Sequence, residues 1–465
     1  MKPINEPVKK YLFLPVFLLL IFYGGNFLSA QNAETTESIL SKISGLISDS
    51  KFNEAIALFD TISQSDRDSS QIKLIKATVL SSAGKHADAR AIAESITKAE
   101  PKNTEAFFVL AAIEGASGRR RQQQAALEQI LKLEPGSTEA LIGLGNLSLS
   151  TRNIKPAASY FQRALAIDSE NAEALLGMAR AFRMNTEWDN AEMLLNRTVE
   201  LYPRLAEARS ERARFYMGRG ALKDALSDLD EAKKFAPDNY WIAVDRGNLL
   251  LEMNRKPEAL EEFNRAIVIN PGEYTAYAYS SGIKDDLGDH DGAEKDYAVL
   301  AKLNPKYFYG LEGLGFHKMR KEKWAEAREA FSEAFIQAPQ ESLYALLAAI
   351  NWMKSGDIAG PRQYLAQAQA KVKRDTLEWY MLRLYYDLTV RNYVGENDMI
   401  LRLDQEKDQV LKARMLFYMA FYFDIRNNTS LANKYFIMVK ELDMRAIPEW
   451  RLNEWITEDR NLNPF

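Results

Sequence analysis

Small and bulky apolar residues alternate along this chain at the four-residue spacing that puts both on one face of a helix. The pattern is also periodic over a longer distance. Ala157, Ala191, Ala225, Ala259, Ala293 and Ala327 stand 34 residues apart, with Ala89 in the same column and Gln123 interrupting it. Four residues later comes a bulky column, Leu127, Phe161, Leu195, Leu229, Phe263, Tyr297 and Phe331. A third column is small again: Ala111, Gly145, Ala179, Ala213, Gly247, Ser281, Gly315 and Ala349. Small residues at fixed sites let two helix backbones approach closely, so each period predicts two helices packed against each other.

The breaks between helices follow the same ruler. Pro101, Pro135, Pro203, Pro237, Pro271, Pro305 and Pro339 fall on it, with Ser169 in the one slot that lacks proline. A proline inside a helix removes a hydrogen bond and clashes, at about 3 kcal/mol, so this column marks where the second helix stops. Between the two helical patterns, Gly84, Gly118, Gly220, Asn254, Gly288 and Gly356 form a column suited to the positive φ of a helix end. Pro156 and Pro257 open the second helix, where a missing N–H costs nothing. Each period therefore reads helix, turn, helix, stop. Ordering 34 residues costs roughly 1.5 kcal/mol each, more than a unit's few core side chains return at about 1.5 to 3 kcal/mol apiece. The missing burial has to come from stacked neighbours.

These columns resemble the tetratricopeptide repeat in the kind and spacing of their small, bulky and proline sites. In that phase, units start near Thr36, Ser70, Thr104, Thr138, Ala172, Ala206, Tyr240, Tyr274, Phe308, Ser342, Thr376 and Ala413. The resemblance covers about residues 36–446, or twelve units, and the unit from Thr376 departs most, being longer and carrying Gly395 in the alanine column. It implies an all-α solenoid wound as a right-handed superhelix, with a concave groove lined by the first helix of each unit. Residues 447–465, with Trp450, Leu452, Trp455 and Ile456, are expected to form the capping helix that a solenoid end requires.

Composition adds a location. Lys2, Lys9 and Lys10 precede an apolar run from Tyr11 to Tyr23 and a small-residue end at Ser29 and Ala30, so residues 1–30 read as a signal peptide cut before Gln31. The alternative is an uncleaved anchor, which would be the protein's one contact with a membrane. Both export the remainder. The chain has no cysteine, which removes disulfides, thiolate nucleophiles and cysteine zinc sites, and favours a bacterial periplasm or cell envelope. The whole chain carries −4 and the leader +2, leaving −6 on the rest, which argues against nucleic acid or anionic lipid as a partner.

Candidate chemistry is thin, and neither a cofactor nor a metal is expected. His86, His290 and His317 are read as surface residues. Asp285, Asp286, Asp289 and Asp291 resemble a calcium loop only in its middle, with Leu287 and Ala298 where the outer ligands would stand, so they are read as an acidic turn that caps the next helix. Arg119, Arg120 and Arg121 make a basic turn, and no phosphate-binding loop or nucleophile elbow is present.

Non-enzymatic binding of a partner protein or peptide is then the expected function, and groove positions on the first helices are its candidate site. Central units offer Asn146, Arg180, Arg183, Arg214 and Asn248, which suit a carboxylate or acidic peptide, unless the arginines pair with acids such as Glu173 and Glu207. Later units offer an apolar stripe, Phe316, Met319, Leu346, Ile350 and Met353, which either receives a partner helix or is covered by the C-terminal helix. The rival readings are an accessory to small-solute transport, contacting a solute-binding protein, and an enzyme, for which the repeats leave no separate catalytic domain.

Overall fold

In the computed structural model, residues 35–49 and 51–462 are described; the leader segment lies outside them. These residues form 26 α-helices and no strand. Twelve helix pairs follow one another, and we number them as repeats by their first helices. Repeats 1–6 begin with helices Thr36–Ser48, Ser70–Ser82, Thr104–Ala116, Thr138–Ser150, Ala172–Met184 and Ala206–Gly218. Repeats 7–12 begin with Tyr240–Glu252, Tyr274–Asp286, Tyr309–Arg320, Leu343–Lys354, Leu377–Thr389 and Gln409–Ile425. The chain divides into two compact units at Phe235, the first holding repeats 1–6 and the second repeats 7–12 and a last helix, Pro448–Asp459.

Local chemistry sets the helix ends. First helices are opened by a capping residue every 34 positions: the side chains of Ser69, Asn103, Ser137 and Asn171 each accept a hydrogen bond from the backbone N–H three residues on. The first helix of repeat 12 starts at Gln409, four residues before the expected Ala413, because Asp408 caps it through Val410 and Leu411. The turn column takes up positive φ at Gly84, Gly118, Gly220, Asn254, Gly288 and Gly356. It does so equally at Arg152, Thr186 and Glu322, where φ is 60°, 61° and 56°. The backbone path is the same in these repeats whether or not the residue suits it.

Packing explains the small and bulky columns. Phe161, from the second helix of repeat 4, is fully buried between two glycines, Gly145 on its own first helix and Gly177 on the first helix of repeat 5. A methyl group on Gly145 would come within 2.7 Å of the ring, and one on Gly177 within 2.3 Å. The ring occupies the space that two missing side chains leave, and it thereby joins one repeat to the next.

In the first unit, the first helices of repeats 2 and 3, 4 and 5, and 5 and 6 touch one another directly, while second helices pack mainly onto first helices. The first helices of repeats 4, 5 and 6 thus make a layer with its own face. In the second unit the last helix does more than close an end: it packs on the preceding helix Thr429–Glu441 and also across the first helices of repeats 9 and 12.

Candidate functional site

Asn146, Arg180 and Arg214 occupy the same position on the first helices of repeats 4, 5 and 6. Their surroundings are acidic. Arg180 Nε lies 3.6 Å from Glu211 and its Nη2 lies 4.0 Å from Glu207, both on the next first helix, and Arg214 Nη1 lies 2.8 Å from Glu211. Glu211 is 5% exposed, so its charge is matched by the two guanidiniums on either side of it. Burial, followed by the charge of Glu207, raises the pKa of Glu173 above the ordinary carboxylate value against the pull of Arg180. The face is therefore a strip of mixed charge across repeats 5 and 6, with the neutral Asn146 in the equivalent place on repeat 4. Arg183, one turn beyond Arg180, is partly exposed and adds a cation on the same helix. The Oδ1 of Asn146 is shielded from solvent and accepts no hydrogen bond within the described residues. Asn248 has the corresponding position in repeat 7, in the second unit, where it is partly exposed.

The apolar stripe is arranged differently. Phe316 and Met319 are 5% and 2% exposed, Leu346 and Ile350 fully buried and Met353 3% exposed. All five belong to one core with Trp450, Leu452 and Trp455 of the last helix. That helix is also tied by polar contacts. Arg451 donates to Asp286 at 2.8 Å and lies 3.2 Å from Asp285, and Asn453 Nδ2 donates to the carbonyl of Phe436 at 3.0 Å.

Two expectations about chemistry change here. His317 is not a surface residue: it is 1% exposed, with Nε2 3.0 Å from Asp285 and its ring beside that of Trp455. The acidic run also splits by role. Asp289 caps its helix by accepting from Gly292 N–H at 3.0 Å, whereas Asp285 is 7% exposed and gathers His290, His317, Tyr297 and Arg451. Burial opposes its ionisation, yet the close approach of His317, with His290 and the charge of Arg451, holds its pKa below the usual carboxylate value. Sequence spacing missed this cluster because Arg451 and Trp455 come from 165 residues or more further along the chain. Among the described residues no group of three or more His, Asp or Glu is placed to hold a metal ion, and no helix is long and apolar enough to cross a membrane.

Stacked helix pairs that present charged and apolar faces define an α-solenoid of helix-turn-helix repeats. Residues 40–226 match the family model described as the N-terminal ARM repeat of tetratricopeptide repeat protein 21. A tetratricopeptide repeat and J domain-containing co-chaperone of Fusarium oxysporum f. sp. lycopersici is 29% identical over 91 residues, 20% of this chain and 18% of that protein. Hsp70-Hsp90 organizing protein 1 of Glycine max is 27% identical over 156 residues, 32% of this chain and 27% of that protein. The chain thus spans under a third of the length of either relative. A crystal structure of a tetratricopeptide repeat protein from Parabacteroides merdae aligns at a TM-score of 0.45 and 19% identity, over 53% of this chain and 98% of that one. The 34-residue columns and the helix pairs that realise them are those of tetratricopeptide repeats, and the family match covers residues 40–226 of the chain.

Proposed function

We propose that this chain is a non-enzymatic scaffold, exported to the bacterial periplasm or cell envelope, that holds a segment of a partner protein against the first helices of repeats 4 to 6. The observation that supports this reading most is the shared position of Asn146, Arg180 and Arg214 on successive first helices, with Arg180 and Arg214 on either side of the buried Glu211. A partner backbone N–H would satisfy the buried Oδ1 of Asn146, and an unsatisfied buried acceptor costs about 1 to 3 kcal/mol. Arg183 can give a partner carboxylate a charge-assisted hydrogen bond without disturbing an internal pair. Export rests on the leader residues of the sequence, and the curated relative named for organizing Hsp70 and Hsp90 is consistent with a role in holding other proteins.

The second unit contributes differently in this reading, since its apolar stripe already packs in one core with the chain's own last helix. The test is Arg183→Glu, assayed for binding to partners recovered from the native envelope. A charge-assisted hydrogen bond is worth about 1.5 to 3 kcal/mol, so affinity should fall roughly tenfold to a hundredfold with circular dichroism unchanged. Unaltered affinity for every recovered partner would remove this face from the account.

A further inference from the structure

The last helix, Pro448–Asp459, is enclosed rather than laid across an end: from Ile447 to Thr457 no residue is exposed. A helix that merely closes a solenoid keeps a polar outer face in water. This one lies in a groove of the second unit, against the first helices of repeats 9 and 12 and the helix before it. Its seat is chemically specific. Trp455 lies against the rings of His290 and His317, at 4.9 and 5.3 Å between centroids, with the Arg320 guanidinium 4.6 Å from its own centroid. One turn earlier, Arg451 Nη1 lies 3.2 Å from Asp285 and Nη2 donates to Asp286 at 2.8 Å. Leu452 enters the core that holds Phe316, Leu346 and Phe417. At the N-terminal end, Glu449 accepts from Tyr418 at 2.9 Å and lies 3.4 Å from Arg414 Nε, both on the first helix of repeat 12. Two features oppose this docking. Trp450 Nε1 and Asn453 Oδ1 are shielded from solvent and make no hydrogen bond among the described residues, and release would return both to water. The link from Glu441 to Pro448 turns through Asp443 at φ 49°, in the left-handed region that a residue with a side chain avoids.

We propose that the second unit contains a helix-binding groove whose resident occupant is the chain's own last helix, and that a partner's amphipathic helix carrying the pattern Arg-Leu-x-x-Trp displaces it. This site is separate from the face of repeats 4 to 6 and does not depend on it. Each residue of the pattern meets a matching group. Arginine faces the paired carboxylates of Asp285 and Asp286, leucine fills the apolar core, and tryptophan takes the place between two imidazoles and a guanidinium. A partner that lacks polar groups where Trp450 and Asn453 stand leaves none unmet, and it imposes no strain at Asp443. The tethered helix acts at an effective concentration on the order of millimolar, so a free helix of equal chemistry competes poorly with it. Loosening the resident contact raises the open fraction, and the apparent affinity for the free helix rises with it.

The experiment titrates a fluorescein-labelled peptide of residues 446–462 into the full chain and follows its anisotropy. Arg451→Ala with Trp455→Ala weakens the resident helix, so this variant should bind the peptide at least tenfold more tightly than the wild-type chain. A peptide with the same two substitutions should not bind. An alanine-based helix that keeps only the Arg-Leu-x-x-Trp pattern should bind the variant within tenfold of the native peptide. Hydrogen–deuterium exchange should show the bound peptide protecting Tyr309–Arg320 and Gln409–Ile425 while Ile154–Ile167 stays unchanged. Equal affinity for both chains, no binding by the folded variant, or protection elsewhere overturns the proposal. Failure of the alanine-based helix overturns the partner assigned here. A wild-type chain that sizes as a dimer and becomes monomeric with the peptide also overturns it, since a second copy would then be the occupant. Arg451→Ala alone, which leaves the apolar core in place, is read by the same criteria if the double variant does not fold.

Discussion

Replacing Gly177 with alanine isolates the packing that makes one repeat depend on the next. In a helix interior, alanine for glycine ordinarily gains about 1 kcal/mol. Here the new methyl group would stand 2.3 Å from Phe161 Cε1 and 2.4 Å from Cζ, and the ring already fills the space beside Gly145 on its other side, where an added methyl would likewise come within 2.7 Å. Overpacking a tight core costs about 1 to 3 kcal/mol, which less the propensity gain of about 1 kcal/mol leaves a net destabilisation of up to about 2 kcal/mol. Gly45 supplies the control. It is exposed on the first helix of repeat 1 with nothing within 4 Å of an added methyl, and Gly45→Ala should stabilise by about 0.5 to 1 kcal/mol. Urea denaturation followed by circular dichroism would read both shifts, and Phe161→Leu combined with Gly177→Ala should recover part of the loss. If Gly177→Ala raised the midpoint as Gly45→Ala does, the ring would not be the spacer between repeats 4 and 5.

Thr186 holds φ at 61° in a turn where other repeats place glycine, and the left-handed region costs a residue with a side chain about 1 to 2 kcal/mol. Thr186→Gly should raise the urea midpoint of the first unit, and a lower midpoint would show that the hydroxyl's hydrogen bond to the Asn185 carbonyl outweighs the strain. Reversing both arginines, Arg180→Glu with Arg214→Glu, should destabilise this unit by about 3 kcal/mol or more. It leaves Glu211 buried among like charges, so this variant would lose helical signal where Arg183→Glu keeps it.

The repeat architecture was legible because it is local and redundant: a helix pair, its spacers and its stop recur every 34 residues, and an exception such as Ser169 is outvoted. The capping column at Ser69, Asn103, Ser137 and Asn171 was equally available from spacing. Positive φ at Arg152, Thr186 and Glu322 was not, because neighbouring packing imposes that turn on residues that would not choose it. The burial of His317 was illegible for a different reason. Its neighbours Asp285 and Trp455 come from another repeat and from the last helix, and no periodicity links those positions. Of the candidate site, the shared position of Asn146, Arg180 and Arg214 could be read from the columns. Glu207 could be named from the sequence as a partner for those arginines, whereas Glu211, which lies against both Arg180 and Arg214, needed the crossing of adjacent first helices to be seen.

Mapping where a partner touches the first unit tests the central claim most directly. A photo-crosslinking amino acid would be placed at position 146 or 183, on the first-helix layer, or at 193, whose methionine is 59% exposed on the second helix of repeat 5. Crosslinks to one partner are expected from positions 146 and 183, and none from 193. Crosslinks from 193 alone would place the partner on the opposite layer and contradict it.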